Sequence, residues 1–237
     1  MTEGRGAGVP ASPDPLRPAP ADGRTAHPAA FSLGVFGLTL AAGLLLQTEG
    51  ARAVLGGHAG LLFAAIWLYV PLLAMGATGL DRDGCGLTWA QARGSASRFA
   101  VAVALLVPYT TLAWVWRTQV QGLAWSPGVP ASLPSRTLEQ FVLVALPEEV
   151  FFRGYLQPSL DRVARPWRVF GVQVGPGLLL ANALFAIAHL VLLGDPRTLS
   201  VFVPGLLFGY LRQYSGSVAY PCVYHALCNL YQMSVLG

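Results

Sequence analysis

The chain has 237 residues, 54% of them hydrophobic and 11% charged, with a formal net charge of +4. A soluble domain of this size carries about 25% charged residues, so the composition excludes an ordinary water-solvated surface and points to burial in lipid. All fifteen basic residues are arginine, scattered between apolar runs; with no basic stripe or interleaved aromatics, nucleic acid is not an expected partner.

Residues 1–30 are rich in Pro, Ala, Gly, Asp and Arg, with no apolar run. They read as a disordered tail, because such a segment cannot bury enough apolar surface to offset its ordering entropy. The tail is too long and too proline-rich for the lead of a cleaved signal peptide, so the first hydrophobic segment is expected to stay as a span. Residues 31–237 read as one transmembrane domain. Apolar stretches occupy 31–47, 60–77, 99–116, 138–156, 174–193, 199–211 and 217–236. Most approach the ~20 residues that cross ~30 Å of hydrocarbon. Backbone groups in lipid must be satisfied internally, so each stretch is expected as a helix. The fold class is therefore all-α, a polytopic transmembrane helix bundle of about seven spans (range six to eight) with an intramembrane active site. Three cysteines, Cys85, Cys222 and Cys228, have no metal-ligand spacing and form no disulfide framework.

Arginine placement sets the orientation. With the N-terminus inside, the inside segments hold Arg5, Arg17, Arg24, Arg82, Arg93, Arg98, Arg162, Arg165, Arg168 and Arg212, whereas the outside segments hold Arg52, Arg117, Arg136 and Arg197. The positive-inside rule then favours a cytoplasmic N-terminus and an external C-terminus, and an even helix count would invert that end.

The fourth span runs from Leu138 to Gln157 and carries Glu148, Glu149 and Arg153 in an otherwise apolar helix. Each ionisable group costs at least about 2.5–3.5 kcal/mol at the bilayer centre on insertion scales. Glu149 and Arg153, four apart, share a face and can neutralise each other. Glu148 lies 100° away and can address a different partner. Pro147 removes a backbone N–H just before the pair and can kink the helix. A structural ion pair between helices is one reading, but a single pair suffices for that. The second glutamate, beside a cation and a low-dielectric wall, can be tuned for proton transfer.

The fifth span places Asn182, Phe185 and His189 on one stripe, and the last places His225 and Asn229 four apart. Taken singly, each histidine or amide reads as a satisfied core residue or a helix–helix hydrogen bond. Together, a carboxylate, two imidazoles and an amide in one bundle supply a base, an orienter and oxyanion donors for peptide hydrolysis.

These patterns resemble the CAAX protease and bacteriocin-processing family, intramembrane glutamic peptidases that include the type II CAAX prenyl endopeptidases. Glu148, Glu149 and Arg153 match E-E-x-x-x-R, Phe185 and His189 match F-x-x-x-H, and His225 and Asn229 match H-x-x-x-N, in the family's order. The resemblance covers about residues 138–233, the expected catalytic core. It implies that Glu148 activates water with His189, that His225 and Asn229 bind the oxyanion, and that Glu149 and Arg153 hold the site together, supported by Phe185 and Asn182. It implies no cofactor, no metal, and a protein substrate in or at the membrane. The runs from Arg153 to Gln157 and from Leu207 to Arg212 look similar to the myxosortase-like branch, associated with C-terminal sorting tails of surface proteins. That branch and the arginine-only basic composition imply a bacterial inner-membrane protein. Nothing indicates that a prenyl group is recognised, and the sequence sets no oligomeric state.

Rival readings remain on the residues alone. Glu and His side chains can ligate zinc, although H-E-x-x-H is absent. Ser215 or Ser217 near His225 could form a serine peptidase, yet both sit at a helix start, where serine is an ordinary cap. Cys228 as nucleophile lies three residues from His225, where a small residue more often serves packing. A catalytically inert scaffold or transporter would also bury these charges.

Overall fold

The computed structural model describes residues 27–88, 100–101, 104–124, 128 and 133–235. The expected tail therefore lies outside the described residues up to residue 26. Its last residues are helical instead, because Pro28 occupies the first turn of α1 (Pro28–Leu46), where its missing N–H costs no hydrogen bond.

Each apolar stretch forms a helix in its described part. Thr48 caps α2 (Glu49–Leu55) by accepting from the Ala51 N–H, and a short 3-10 turn leads into α3 (Ala59–Thr78). The third stretch forms α4 (Leu106–Val115), which continues as a π-helical turn at Trp116–Val120. The fourth is a continuous helical run over 133–160, termed α5. Then come α6 (Pro176–Leu193), a 3-10 segment at Pro196–Val201, α7 (Phe202–Ser215) and α8 (Ala219–Val235). Three helical segments among the described residues are long and apolar enough to cross a membrane: Pro28–Leu46, Glu49–Thr78 and Pro176–Leu193. The 14 residues of α7 span only about 21 Å at 1.5 Å per residue, so this helix is short for a crossing.

The all-α expectation holds, with one small addition. Between α5 and α6 the chain forms a two-stranded antiparallel hairpin, β1 (Trp167–Val169) and β2 (Val172–Val174).

Two prolines shape α5. Pro147 and Pro158 cannot donate to the carbonyl four residues back. The helix widens into π-helical turns at Gln140–Ala145 and Val150–Leu156, each closing just before a proline-led α turn. Such π insertions accommodate an interrupted ladder and cluster at functional sites.

Hydrogen bonds set the register of the helices around α5. Arg153 donates to the Gly205 carbonyl, Gln157 to the Gly209 carbonyl, and Gln213 to Asp161. Each pair is separated by 52 residues, so α7 runs parallel to the end of α5 in fixed register. Gly205 and Gly209, four apart, let the two backbones approach closely enough for these side chains to reach main-chain oxygens. α6 runs antiparallel: Asp161 accepts from the Gly177 N–H, Arg153 bonds Asn182, and Phe152 packs on Phe185. Burial pushes the Asp161 carboxyl up to about 6, against the two N–H groups that favour its charged form.

An aromatic layer joins α1 and α3 to α5. Phe36 and Trp67 pack on Phe151 and Phe152, with ring centroids 5.2–6.4 Å apart. The buried Ser32 hydroxyl donates to the Tyr155 hydroxyl at 3.1 Å. α5 is thus enclosed on several sides, which lets it hold charges away from lipid.

Candidate active site

Glu149 and Arg153 are almost wholly buried, at 0% and 1% exposure. Arg153 Nη1 donates to Glu149 Oε1 at 3.2 Å. The guanidinium also reaches Asn182 Oδ1 at 3.4 Å and the Gly205 carbonyl at 3.1 Å. Its flat face lies over Phe185, 4.4 Å from the ring centroid, and near Phe208 at 5.2 Å. A planar cation with several donors suits such a site, where a lysine could not bond and stack at once. Asn182 is fixed in turn, donating to the Phe202 carbonyl at 2.7 Å. Arg153, Asn182 and Phe185 therefore form the support on which the acid pair rests.

His225 meets both glutamates. Its Nδ1 lies 2.8 Å from Glu149 Oε1, and its Nε2 lies 3.8 Å from Glu148 Oε2. The sequence reading separated the partners of the two carboxylates, whereas here one imidazole spans them. The ring is held by near-parallel stacking on Phe208, centroids 4.7 Å apart, and by the edge of Phe185. The Oε2 atoms of Glu148 and Glu149 are buried and accept no hydrogen bond from the described residues.

His189 sits on α6 with Nδ1 2.9 Å from the Phe185 carbonyl of its own helix, which leaves Nε2 to face outward from that bond. Pairings of Asp161 with Gly177 and Phe152 with Phe185 define the antiparallel register. Extending it places His189 level with Glu148.

Asn229 Nδ2 donates to Gln140 Oε1 at 2.8 Å. Gln140 is 5% exposed, lies in the first π turn of α5, and belongs to no motif read from the sequence. The only signal for it was a polar amide at the head of an apolar span.

The other readings find less support in position. Ser217 Oγ accepts from the Ala219 N–H at the start of α8, and Ser215 donates to the Leu211 carbonyl at the end of α7, so both serines cap helices. Cys228 is buried in an aromatic cluster with Tyr109, Phe208 and Tyr224. Among the described residues, no group of three or more His, Cys, Asp or Glu side chains is placed to hold a metal ion.

Residues 130–231 match the family model described as type II CAAX prenyl endopeptidase Rce1-like. This stretch is similar to the Rce1-like family. The Rce1-like region contains the whole cluster from Gln140 to Asn229, and this likeness together with the apolar helices supports an integral membrane protein. No curated protein matches the chain, and no solved structure does.

Proposed function

We propose that the chain is an intramembrane glutamic endopeptidase in which Glu148 activates water. The observation that carries this reading is the unequal placement of the two carboxylates. Glu149 is tied to Arg153 and His225, whereas the Glu148 side chain is 14% exposed and its Oε2 lies 3.8 Å from His225 Nε2, beyond hydrogen-bond distance. The tied acid is structural and the free one can take a proton. A base of this kind needs reach and access together.

His189, level with Glu148, orients the water. Asn229 and His225 stabilise the oxyanion, since the second N–H of the Asn229 amide stays free while Gln140 takes the first. The substrate is a membrane-associated or C-terminally tailed protein, and the site opens to the external side of a bacterial inner membrane, with the N-terminus in the cytoplasm. Supporting that orientation, three arginine-bearing segments meet at one end of the bundle. Arg162 donates to the Thr78 and Gly79 carbonyls, and Arg212 to the Gly84 carbonyl.

The test compares membrane proteomes of a wild-type strain and a Glu148→Ala strain. Proteins that keep an uncleaved C-terminal tail only in the variant are the expected result. Identical proteomes, with the variant expressed and inserted, would leave an inert scaffold as the better reading.

A further inference from the structure

The hairpin between α5 and α6 carries groups that the catalytic cluster does not use. Its strands pair Trp167 with Val174, Arg168 with Gln173 and Val169 with Val172, which leaves Phe170 and Gly171 as a two-residue turn. Both turn residues have positive φ, 46° and 82°. A turn of that geometry favours Asn or Asp before Gly, because they tolerate the left-handed region. A bulky residue there is an outlier. The Phe170 ring is also 96% exposed, so neither the backbone nor packing within the fold favours phenylalanine at this position.

The surroundings supply a reason. Trp167 and Val163 are exposed at 40% and 58%. Arg165 and Arg168 are exposed, and neither takes part in any of the ion pairs among the described residues. From Arg162 to Val174 there is no acidic residue. The nearest acid, Asp161, is occupied by the Gly177 N–H and by Gln213. The hairpin starts seven residues after α5 ends and closes just before α6 begins, so it lies at the end of two membrane-embedded helices.

We propose that residues 163–174 form a membrane-interface anchor, in which Phe170 and Trp167 enter the headgroup–acyl boundary while Arg165 and Arg168 bind phosphates of anionic lipids. Apolar rings beside cations outside the ion pairs suit that boundary, where tryptophan is enriched and juxtamembrane cations are attracted to an anionic leaflet. On this reading the ring of the strained Phe170 is received by lipid. This proposal is independent of the peptidase chemistry.

The full-length protein is placed in nanodiscs of phosphatidylcholine alone or of phosphatidylcholine with phosphatidylglycerol. Hydrogen exchange of residues 165–174 is expected to slow several-fold in the anionic discs. A fluorophore on Phe170→Cys is expected to emit at blue-shifted wavelengths and to be quenched by lipids brominated near the acyl carbonyls. The three native cysteines are buried and compete little for the label. Phe170→Asn keeps the turn and removes the ring, so it should lose the lipid dependence of exchange while α5 to α8 exchange as in the wild type. Arg165→Gln with Arg168→Gln should shrink the difference between the two lipids. Water-like emission together with equal exchange in both discs would overturn the proposal. So would a blue shift that appears only at high protein-to-lipid ratio, because it would assign the tip to a second copy of the chain.

Discussion

One oxygen, Glu149 Oε1, receives Arg153 Nη1 at 3.2 Å and lies 2.8 Å from His225 Nδ1. This single atom links α5 to α8, and Arg153 extends the link to Asn182 on α6 and Gly205 on α7. Removing the guanidinium leaves Glu149 buried without its cation, at a cost of roughly 3–5 kcal/mol for a broken buried pair. Arg153→Ala is therefore expected to accumulate less and melt lower than Glu148→Gln. Thermal unfolding of both variants in one detergent checks this, and equal melting temperatures would show that the pair does not hold the helices.

Glu148→Gln keeps shape and loses the proposed base. Hydrolysis should fall by about 10²–10⁴-fold, the usual contribution of general base catalysis, with the fold intact. Purified variant and wild type assayed on one tailed membrane substrate decide the matter. A near wild-type rate would remove Glu148 from the mechanism. The same assay with phenanthroline should show no loss, and inhibition reversed by zinc would favour a metal peptidase.

The acid pair, the arginine and both histidine stripes were legible in the sequence because ionisable groups stand out in apolar helices. The helices were legible for the same reason of composition, although only three helical segments among the described residues are long and apolar enough to cross a membrane. The hairpin was not: each strand has only three residues, and Phe170-Gly171 lacks the Asn-Gly signature of its turn. Gln140 was hidden because its partner lies 89 residues away in sequence, and no spacing within one helix reports a contact between two. The break at Pro147 was expected as a kink, but the helix absorbs it by widening into π turns on either side.

Gly205 tests how tightly α7 seats on α5. A Cβ there would collide with Asn182 Oδ1 and stand 3.0 Å from Arg153 Nη2. Both side chains are fixed, so Gly205→Ala should destabilise by about 1–3 kcal/mol, as overpacking does. At Gly209 the nearest atoms are 3.0 Å away on Leu178 and 3.1 Å away on Gln157, so Gly209→Ala should cost less. Melting temperatures of the two variants give the order, and a reversed order would contradict the packing described.

Gln140 fixes which end of the Asn229 amide faces it. Gln140→Glu retains the acceptor, whereas Gln140→Leu leaves Asn229 Nδ2 unpaired and free to turn. A hydrogen bond of this type is worth about 0.5–1.5 kcal/mol net. The leucine variant should lose up to about tenfold in kcat with KM little changed, and the glutamate variant should recover most of it. Equal losses in both variants would point to packing rather than to orientation of the amide.

The remaining prediction concerns the side from which water enters. The loop from Gly79 to Gly86 meets Arg162, Arg212 and the Val218 N–H, so the ends of α3, α5 and α7 and the start of α8 lie together. With that arginine-rich end cytoplasmic, α5 runs inward and α6 outward. Glu148 precedes Leu160 by 12 residues and His189 follows Pro176 by 13. At 1.5 Å per residue both sit about 18–20 Å from the cytoplasmic end, beyond the middle of a ~30 Å hydrocarbon layer. Water then has the shorter path from outside. Leu190 and Leu230, each one residue past a site residue and half-buried, report that path. Cysteines at these positions, with Cys85, Cys222 and Cys228 replaced, are expected to react with a membrane-impermeant maleimide added to intact cells. Labelling only when the reagent is supplied from the cytoplasm would invert the orientation, and with it the assignment of an externally opening site.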